Sequence, residues 1–483
     1  MKKFYITTAI PYVNAKPHIG HALEFIQTDV LARYHRQKGD DTFFLTGADE
    51  NSLKNVQAAE KENISTKQLV DRNTQIFIDL AKALNISNDD FIRTINKKHF
   101  AGAQKLWSKC RPEDIYKRKY RGLYCVGCEQ FYTEKELIDG KCPEHQKEPE
   151  VVEEENYFFK LSNYQKQLEE LIVSDKYKIV PETKKNEVLS FIRMGLEDFS
   201  ISRSQARAKN WGVPVPGDES QVMYVWFDAL SNYITGLDFA TDGERYKNYW
   251  ANNKNIVHVV GKGIIRFHAV YWPAMLLSAG LPLPTTLFVH GYINIGGTKM
   301  SKSLGNVIDP FDLVNQYEVD PVRYYFLRCV HPVEDSDFTI EKFEAAYTAD
   351  LSNGLGNLVS RVAGLIEQND IEIKSRNQEI KKSSQDKEID RLMAGFYFDQ
   401  ALKYIWDKIS RLDGYISETK PWALAKEGKT KELEKVLNFA VQGIMEVTYL
   451  LGPFLPQTAE KIKKIFTAKK IVKGEPLFPR LGK

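Results

Sequence analysis

Several features that would assign a chain to a specialised class are missing from this sequence of 483 residues. No apolar run approaches the ~20 residues needed to cross a bilayer. Residues 1–9 have too short an apolar stretch for a secretory signal and too few Arg and Ser for a transit peptide. No internal repeat or extended low-complexity tract occurs. The sequence therefore predicts a cytoplasmic protein with no membrane segment.

Excess charge and abundant cysteine are also missing. The net charge of +3 is too small to indicate nucleic-acid binding, but it does not exclude it, because a local basic face can supply phosphate contacts. There are five cysteines, and three of them lie between Cys125 and Cys142. In a cytosolic chain, such crowding favours a metal site over a disulfide.

Hydrophobic periodicity divides the chain. Residues 4–10 and 42–45 have strand character, a helical period begins at His18, and this alternation predicts a parallel α/β sheet. The alternation is interrupted and later resumes, and the pattern is purely helical from Ala346. We predict an α/β domain in two halves around an insertion, then a loop region and an α-helical bundle. Their bounds are 1–116 and 208–295 for the halves, 117–207 for the insertion, 296–345 for the loop region and 346–483 for the bundle.

Two short motifs suit phosphate. His18-Ile19-Gly20-His21 lies where the first strand gives way to the first helix, and helix N-termini attract anions. The alternative is two histidines that merely cap a turn. Lys299-Met300-Ser301-Lys302-Ser303 offers two lysines beside small hydroxyls, which can clamp a polyphosphate. Its alternative is a solvated basic turn. Neither a Walker loop nor a GxGxxG motif is present.

Two pairs of metal-binding residues form a zinc-knuckle arrangement. Cys125-x-x-Cys128 and Cys142-x-x-His145 offer three thiolates and one imidazole to one tetrahedral ion. These four ligands leave no coordination position open, so the predicted Zn²⁺ is structural. A redox CxxC motif is the alternative, but it does not explain Cys142 and His145.

Together, the HIGH and KMSKS motifs resemble those of the class I aminoacyl-tRNA synthetases. The resemblance implies a Rossmann-type sheet split by a zinc-binding connective insertion and followed by an α-helical anticodon-binding domain. It implies catalysis by His18, His21, Lys299 and Lys302, with Mg²⁺ accompanying ATP. The implied ATP-binding residues are Pro11, His18, Gly20, His21, Arg203, Lys299 and Lys302.

Within that class, residues 223–233 and 9–12 resemble the methionine-specific members, in the short form with a single zinc knuckle. The resemblance implies that L-methionine is a substrate and that Asp49 holds its ammonium group. A flexible, polarizable thioether packs well against aromatic rings. Ordinary core packing is the alternative for Trp226 and Tyr233. The implied methionine-binding residues are Ile10, Tyr12, Asp49, Trp226, Ala229, Leu230, Tyr233 and His268.

The helical region carries the implied anticodon-reading residues Asn357, Arg361 and Trp422. A Trp beside a rigid Pro is a good platform for a splayed base, although Trp422 could instead join two helices. The implied partner is tRNA(Met), including the initiator tRNA. We expect a monomer, because the extension that pairs subunits in longer relatives is not found after residues 476–481.

The chain departs from the methionine-specific pattern at two places. Asn51-Ser52 replaces a common His-Gly, and Gly263 replaces a common Asp, which leaves the catalytic rate open. Three alternatives remain: a leucine or valine enzyme, which would need a larger editing insertion; a cysteine enzyme, with zinc in the amino-acid pocket; and an inactive tRNA-binding relative, which would lose its phosphate ligands. Pyrophosphate exchange with each amino acid discriminates among them.

Overall fold

The computed structural model describes residues 1–125, 127, 130–132, 134–143, 146–299, 307–373 and 386–482, with the backbone alone for residues 130, 131, 135 and 299. The chain forms two compact units. The first unit comprises Met1–Pro17, Gly39–Lys82 and Ile86–His290. The second unit comprises His18–Lys38, Ala83–Asn85 and Gly291–Lys483.

Among the described residues, strands and helices alternate along the first 290 residues. After that the chain is mainly helical. The strands are β1 (Lys3–Thr8), β2 (Asp41–Ala48), β3 (Asp90–Arg93), β4 (Ile115–Cys125), β5 (Gln130–Tyr132), β6 (Glu150–Phe159), β7 (Lys178–Val180), β8 (Phe199–Ser200), β9 (Ser202–Ser204), β10 (Pro214–Val215), β11 (Asp218–Met223), β12 (Ile256–Gly261), β13 (Thr286–His290), β14 (Ile293–Ile295), β15 (Thr298–Lys299) and β16 (Ser336–Phe338). The α-helices are α1 (Ile19–Gln37), α2 (Leu53–Lys61), α3 (Thr66–Ala83), α4 (Lys97–Lys109), α5 (Gln165–Val173), α6 (Glu182–Arg193), α7 (Val225–Leu230), α8 (Asn232–Thr235), α9 (Glu244–Tyr246), α10 (Trp272–Ser278), α11 (Pro310–Tyr317), α12 (Val319–Arg328), α13 (Ile340–Ala346), α14 (Asn357–Gln368), α15 (Lys387–Ala394), α16 (Phe398–Thr419), α17 (Pro421–Lys426), α18 (Thr430–Leu451) and α19 (Pro456–Thr467). Short π-helical segments cover Lys247–Ala251, Phe267–Tyr271 and Tyr347–Gly356.

A six-stranded parallel sheet forms the centre of the first unit, in the order β3-β2-β1-β12-β13-β7. Its central strands are mainly apolar and buried, and Ile6 of β1 pairs with Phe44 on one side and Val257 on the other. Strands buried on both faces are usually apolar, and the buried Thr7 and His258 satisfy each other by a hydrogen bond. The predicted parallel α/β sheet is confirmed. β7 joins this sheet although it lies inside residues 117–207.

An antiparallel sheet of four strands, in the order β5-β4-β6-β8, is formed within residues 115–200. Its two long strands place a basic run opposite an acidic run: Lys119 faces Glu155, and Arg121 faces Glu153. Opposite charges directly across an antiparallel pair are favourable. A smaller antiparallel sheet follows, in the order β10-β11-β9.

The second unit is mostly helical, as predicted, with one small mixed sheet in the order β15-β14-β16. A fully buried guanidinium joins several of its segments. Arg323 of α12 lies 2.7 Å from Asp29 of α1, and it donates hydrogen bonds to the carbonyls of Leu84, Pro453 and Phe454. No helix among the described residues is long and apolar enough to cross a membrane.

Candidate functional site

Aromatic residues predicted to bind methionine form a cluster in the first unit, where α7 meets the segment after β12, and this cluster is called the aromatic pocket below. The indole of Trp226 is stacked on Phe267, with ring centroids 3.7 Å apart and planes 4° apart. It meets Tyr12 and His268 edge-on, at 6.4 Å and 6.3 Å. These rings form an apolar, polarizable surface, which suits a flexible thioether or aliphatic side chain.

Hydrogen bonds fix the protonation of the two polar rings in this pocket. His268 Nδ1 lies 2.9 Å from the carbonyl oxygen of Ile264, so Nδ1 carries the proton. His268 Nε2 therefore accepts from the Tyr233 hydroxyl at 2.7 Å. Burial lowers the pKa of His268 to about 4, because a charged imidazole would lose its hydration there. The ring is consequently neutral at physiological pH.

Asp49 supplies a buried carboxylate next to this surface. It is 2% exposed, its backbone N–H donates to the Pro11 carbonyl, and it pairs with Tyr12 in a parallel bridge. Asn55 also donates to the Asp49 carbonyl, at 3.1 Å. A carboxylate held beside an aromatic pocket is suited to the ammonium group of an amino acid.

The remaining predicted pocket residues belong to the same unit. Ala229 and Leu230 lie on α7 and are 3% and 1% exposed, and Leu230 belongs to the apolar core against which the half-buried Ile10 packs. The structure therefore brings Tyr12, Trp226, Tyr233 and His268 into a connected set, with Asp49 beside Tyr12.

In the second unit, the two histidines of the HIGH motif cap α1. His18 Nδ1 accepts from the Gly20 backbone N–H, and His21 Nδ1 accepts from the His18 backbone N–H, both at 3.1 Å. The two rings are in contact, with centroids 3.9 Å apart and planes tilted by 33°. Because Nδ1 of each ring is an acceptor, the proton of each neutral imidazole is on Nε2. Capping and phosphate binding are thus compatible, since the cap makes each Nε2 a donor.

Of the other residues predicted to bind ATP, Arg203 belongs to the first unit and Lys299 to the second. Arg203 of β9 lies over the ring of Tyr224 at 4.3 Å and donates to the Ser200 hydroxyl at 2.9 Å. Lys299 ends β15, and its side chain, like Lys302 as a whole, lies outside the described residues.

The predicted anticodon-reading residues come together in the second unit. The Arg361 guanidinium lies 5.6 Å from the centre of the Trp422 ring and 2.8 Å from the Asp413 carboxylate. Trp422 is 46% exposed, and Asn357 is an exposed residue at the start of α14, one turn before Arg361. An exposed indole flanked by a guanidinium is a surface on which a nucleobase can stack.

Two of the four predicted metal ligands are described. Cys125 and Cys142 are buried in one small cluster with Tyr132, whose hydroxyl lies 3.5 Å from Cys142 Sγ. Neither cysteine forms a disulfide. Cys128 and His145 lie outside the described residues, and the residues that are described include no group of three or more metal-binding side chains. Two adjacent buried thiols fit half of a zinc site.

Sequence reasoning missed a buried polar group beside the pocket, formed by Asn51, His99 and Asp228. It also missed the ammonium of Lys54, which lies 4.5 Å from the centre of the Tyr12 ring. Asn51 stood out only as a departure from the methionine-specific pattern. The partners of its side-chain amide lie 43 and 177 positions away along the chain, and no local spacing predicts such contacts.

Comparison with known proteins shows the family of this chain. A family model described as "tRNA synthetases class I (M)" matches residues 4–150 and 145–363. The chain therefore belongs to the class I tRNA synthetases.

Relatives identify the branch of that class. The methionine–tRNA ligase of Clostridium acetobutylicum is 43% identical, over 99% of this chain and 78% of its own length. That of Brucella melitensis is also 43% identical, over 97% of this chain and 92% of its own length. The solved structure of Mycobacterium tuberculosis methionyl-tRNA synthetase in complex with methionyl-adenylate is 36% identical. It superposes with a TM-score of 0.92 and covers 99% of this chain and 100% of its own. The chain is thus a member of the methionine–tRNA ligase family of enzymes.

Proposed function

We propose that this chain activates L-methionine with ATP and transfers it to the 3′ end of tRNA(Met), including the initiator tRNA. The methionine carboxylate attacks the α-phosphate of ATP, which forms methionyl-adenylate and releases pyrophosphate. The 2′-hydroxyl of the terminal adenosine then attacks the activated carbonyl, and AMP leaves. The observation that carries this proposal is the aromatic pocket around Trp226 with the buried Asp49 beside it.

Each pocket residue has a proposed role in holding methionine. Asp49 pairs with the ammonium group, while Trp226, Tyr12 and the neutral His268–Tyr233 pair surround the thioether. A neutral, apolar wall favours the uncharged methionine side chain, because a charged side chain would be desolvated there without a partner. Ile10, Ala229 and Leu230 complete the proposed pocket.

The phosphate chemistry is assigned to the HIGH and KMSKS motifs and three further residues. His18 and His21, with Nε2 as donor, would stabilise the charge that develops on the α-phosphate, and Lys299 and Lys302 would neutralise the leaving pyrophosphate. Pro11, Gly20 and Arg203 would line the nucleotide. Mg²⁺ would accompany ATP and offset the charge of its phosphates.

The tRNA is proposed to be read in the helical region. Trp422 would stack on an anticodon base, while Asn357 and Arg361 would hydrogen-bond base edges. The family membership supports tRNA as the partner, and the exposure of Trp422 supports this surface. We further propose that the protein is a cytoplasmic monomer. Light scattering should then give a mass near 55.5 kDa, and a stable dimer would contradict the assignment.

A structural Zn²⁺ is proposed at Cys125, Cys128, Cys142 and His145. The burial of Cys125 and Cys142 in one cluster supports it. Bound zinc would crosslink the turns of this segment, and it would take no part in the reaction because four protein ligands complete its coordination.

The test is ATP–pyrophosphate exchange with each amino acid in turn, followed by aminoacylation of tRNA(Met). Exchange should depend on methionine and be abolished in practice by Lys302→Ala. Exchange that depends on a different amino acid, or none with any amino acid, would overturn the proposed function. Near-normal exchange by the Lys302→Ala variant would overturn the role of that lysine alone.

A further inference from the structure

The helix α7 carries a buried carboxylate in the middle of its pocket-forming residues. Asp228 lies between Trp226 and Ala229 and is 1% exposed. Its Oδ2 accepts a hydrogen bond from Asn51 Nδ2 at 2.7 Å, and its Oδ1 accepts one from His99 Nε2. Both oxygens are therefore satisfied, as a buried carboxylate requires.

Asn51 connects this carboxylate to the other side of the pocket. Its backbone N–H lies 3.3 Å from the Asp49 carboxylate oxygen Oδ1, to which it donates. Its side-chain amide uses its second hydrogen to bind the Thr94 carbonyl at 3.1 Å. One residue thus links the carboxylate proposed to bind the ammonium group with the helix that carries Trp226.

His99 holds the other end of the network. Its Nδ1 lies 2.7 Å from the hydroxyl of Thr235, on α8, and its ring is fully buried. Asp228 is consequently held by hydrogen bonds from two segments, from Asn51 after β2 and from His99 of α4.

This grip matters because α7 has only six residues, Val225–Leu230. So short a helix is not stable by itself, and its placement depends on tertiary contacts. Burying a carboxylate also costs free energy that an apolar side chain would not. The hydrogen bonds of this network have defined directions, so they fix the position of α7 more closely than apolar packing would.

We propose that Asn51, Asp228 and His99 are positioning residues that fix the separation between the Asp49 carboxylate and the Trp226 wall, and so set the length of amino acid that is accepted. The inference rests on the proposed assignment of Asp49 and Trp226 to methionine. None of the three residues need touch the substrate. Their effect is specificity for methionine over the homologue one methylene longer, ethionine.

The experiment compares wild type, Asn51→Ala and Asn51→His in pyrophosphate exchange with methionine and with ethionine. In Asn51→Ala, the KM for methionine should rise while the KM for ATP stays the same. The ratio of kcat/KM for methionine to kcat/KM for ethionine should fall about tenfold, because one methylene in an apolar pocket changes kcat/KM by about tenfold or more. Asn51→His keeps an N–H donor and should recover most of the ratio.

A matched control is Tyr164→Phe. Tyr164 also donates to a buried carboxylate of the first unit, Asp114, whose other partners are Ser278 and Asn163. Its loss should lower the melting temperature without changing the ratio. If Asn51→Ala does not fold, His99→Gln, which still offers an N–H to Asp228, replaces it and should lower the ratio less than tenfold but measurably.

An unchanged ratio in a folded Asn51→Ala enzyme would overturn the inference, as would an equal fall in Tyr164→Phe. A wild-type enzyme that shows no exchange with methionine would instead refute the proposed function, so the two failures are distinguishable.

Discussion

At the scale of single residues, Trp226 is the side chain on which the proposed substrate preference depends most. Its indole is stacked on Phe267 and touches Tyr12 and His268 edge-on. Trp226→Ala removes the shared wall, so we expect the KM for methionine to rise by at least tenfold while the KM for ATP stays within about twofold. Steady-state exchange kinetics measure both. Equal effects on the two substrates would assign Trp226 to general packing.

His268 gives a prediction about pH. Its pKa is about 4 in the folded protein because the ring is buried, against about 6.5 in an unfolded chain. Between these values the unfolded chain binds more protons, so the free energy of unfolding should fall as pH drops from 6.5 towards 4, by about 1.4 kcal/mol per unit for this ring. Above pH 7 this contribution should be constant.

Denaturant unfolding at a series of pH values checks this, with His268→Gln as the comparison. The variant should lose part of the acid dependence but not all of it, because burial also lowers the pKa of His258. An identical slope in wild type and variant would show that His268 does not titrate in this range.

Individual site residues could be predicted from the sequence where a motif brings neighbours together, as with His18 and His21. The contact between Trp226 and Tyr12 needed the resemblance to a family, because nothing local relates residues so far apart. The network of Asn51, Asp228 and His99 could not be predicted at all. Each member is a common polar residue, and only the folded chain removes all three from water together.

At the scale of elements, the start of α1 allows the two roles of His18, helix capping and catalysis, to be tested separately. His18 caps the helix through Nδ1, while its proposed catalytic role uses Nε2. Asn is a favoured N-cap residue, so His18→Asn should keep the melting temperature within about 2 °C yet slow pyrophosphate exchange at least a hundredfold. His18→Ala should lower both the exchange rate and the melting temperature, because the missing cap costs about 1 kcal/mol of the free energy of unfolding. A His18→Asn enzyme with near-normal exchange would reduce this histidine to a cap.

The antiparallel sheet of β5-β4-β6-β8 gives a prediction about metal removal. Cys125 ends β4, and its thiol is buried beside Cys142. Purified protein should contain one Zn²⁺ per chain, and Cys125→Ser should release it and expose this segment to proteolysis while the far-ultraviolet signal of the helices persists. Elemental analysis that finds no zinc in fresh, reduced protein would contradict the proposed site.

The elements themselves were predictable to different degrees. β1, β12 and β13 are mainly apolar and almost entirely buried, so their hydrophobic stretches can be recognised in the sequence. β3 and β7 have only four and three residues and contain charged side chains, so no apolar run marks them. They belong to the sheet only because β2 and β13 offer open edges. Likewise, the purely helical pattern from Ala346 predicts helix there, but it does not reveal that Tyr347–Gly356 is a π-helical segment before α14.

At the scale of the whole molecule, the two reaction steps should respond differently to one substitution. Trp422→Ala should weaken tRNA binding by about 1–3 kcal/mol and lower aminoacylation correspondingly. Exchange needs no tRNA and should be unchanged. Phe439→Ala is the matched control, since Phe439 is 53% exposed on α18 but pairs with Tyr415 rather than with Arg361. If exchange and aminoacylation fall together in Trp422→Ala, the anticodon is read elsewhere.

The strand order of the parallel sheet also bears on how the protein can be made. β1 pairs with β12, which begins 248 residues after β1 ends, from Thr8 to Ile256. At ribosomal rates of about 5–20 residues per second, roughly 12–50 s pass before that partner strand is synthesised. Until then only β1, β2 and β3 of the parallel sheet can pair with one another, and one side of β1 stays open to pairing with another chain. The growing polypeptide should therefore depend on chaperones, or on a low density of neighbouring nascent chains, most strongly while this edge of β1 is unpaired.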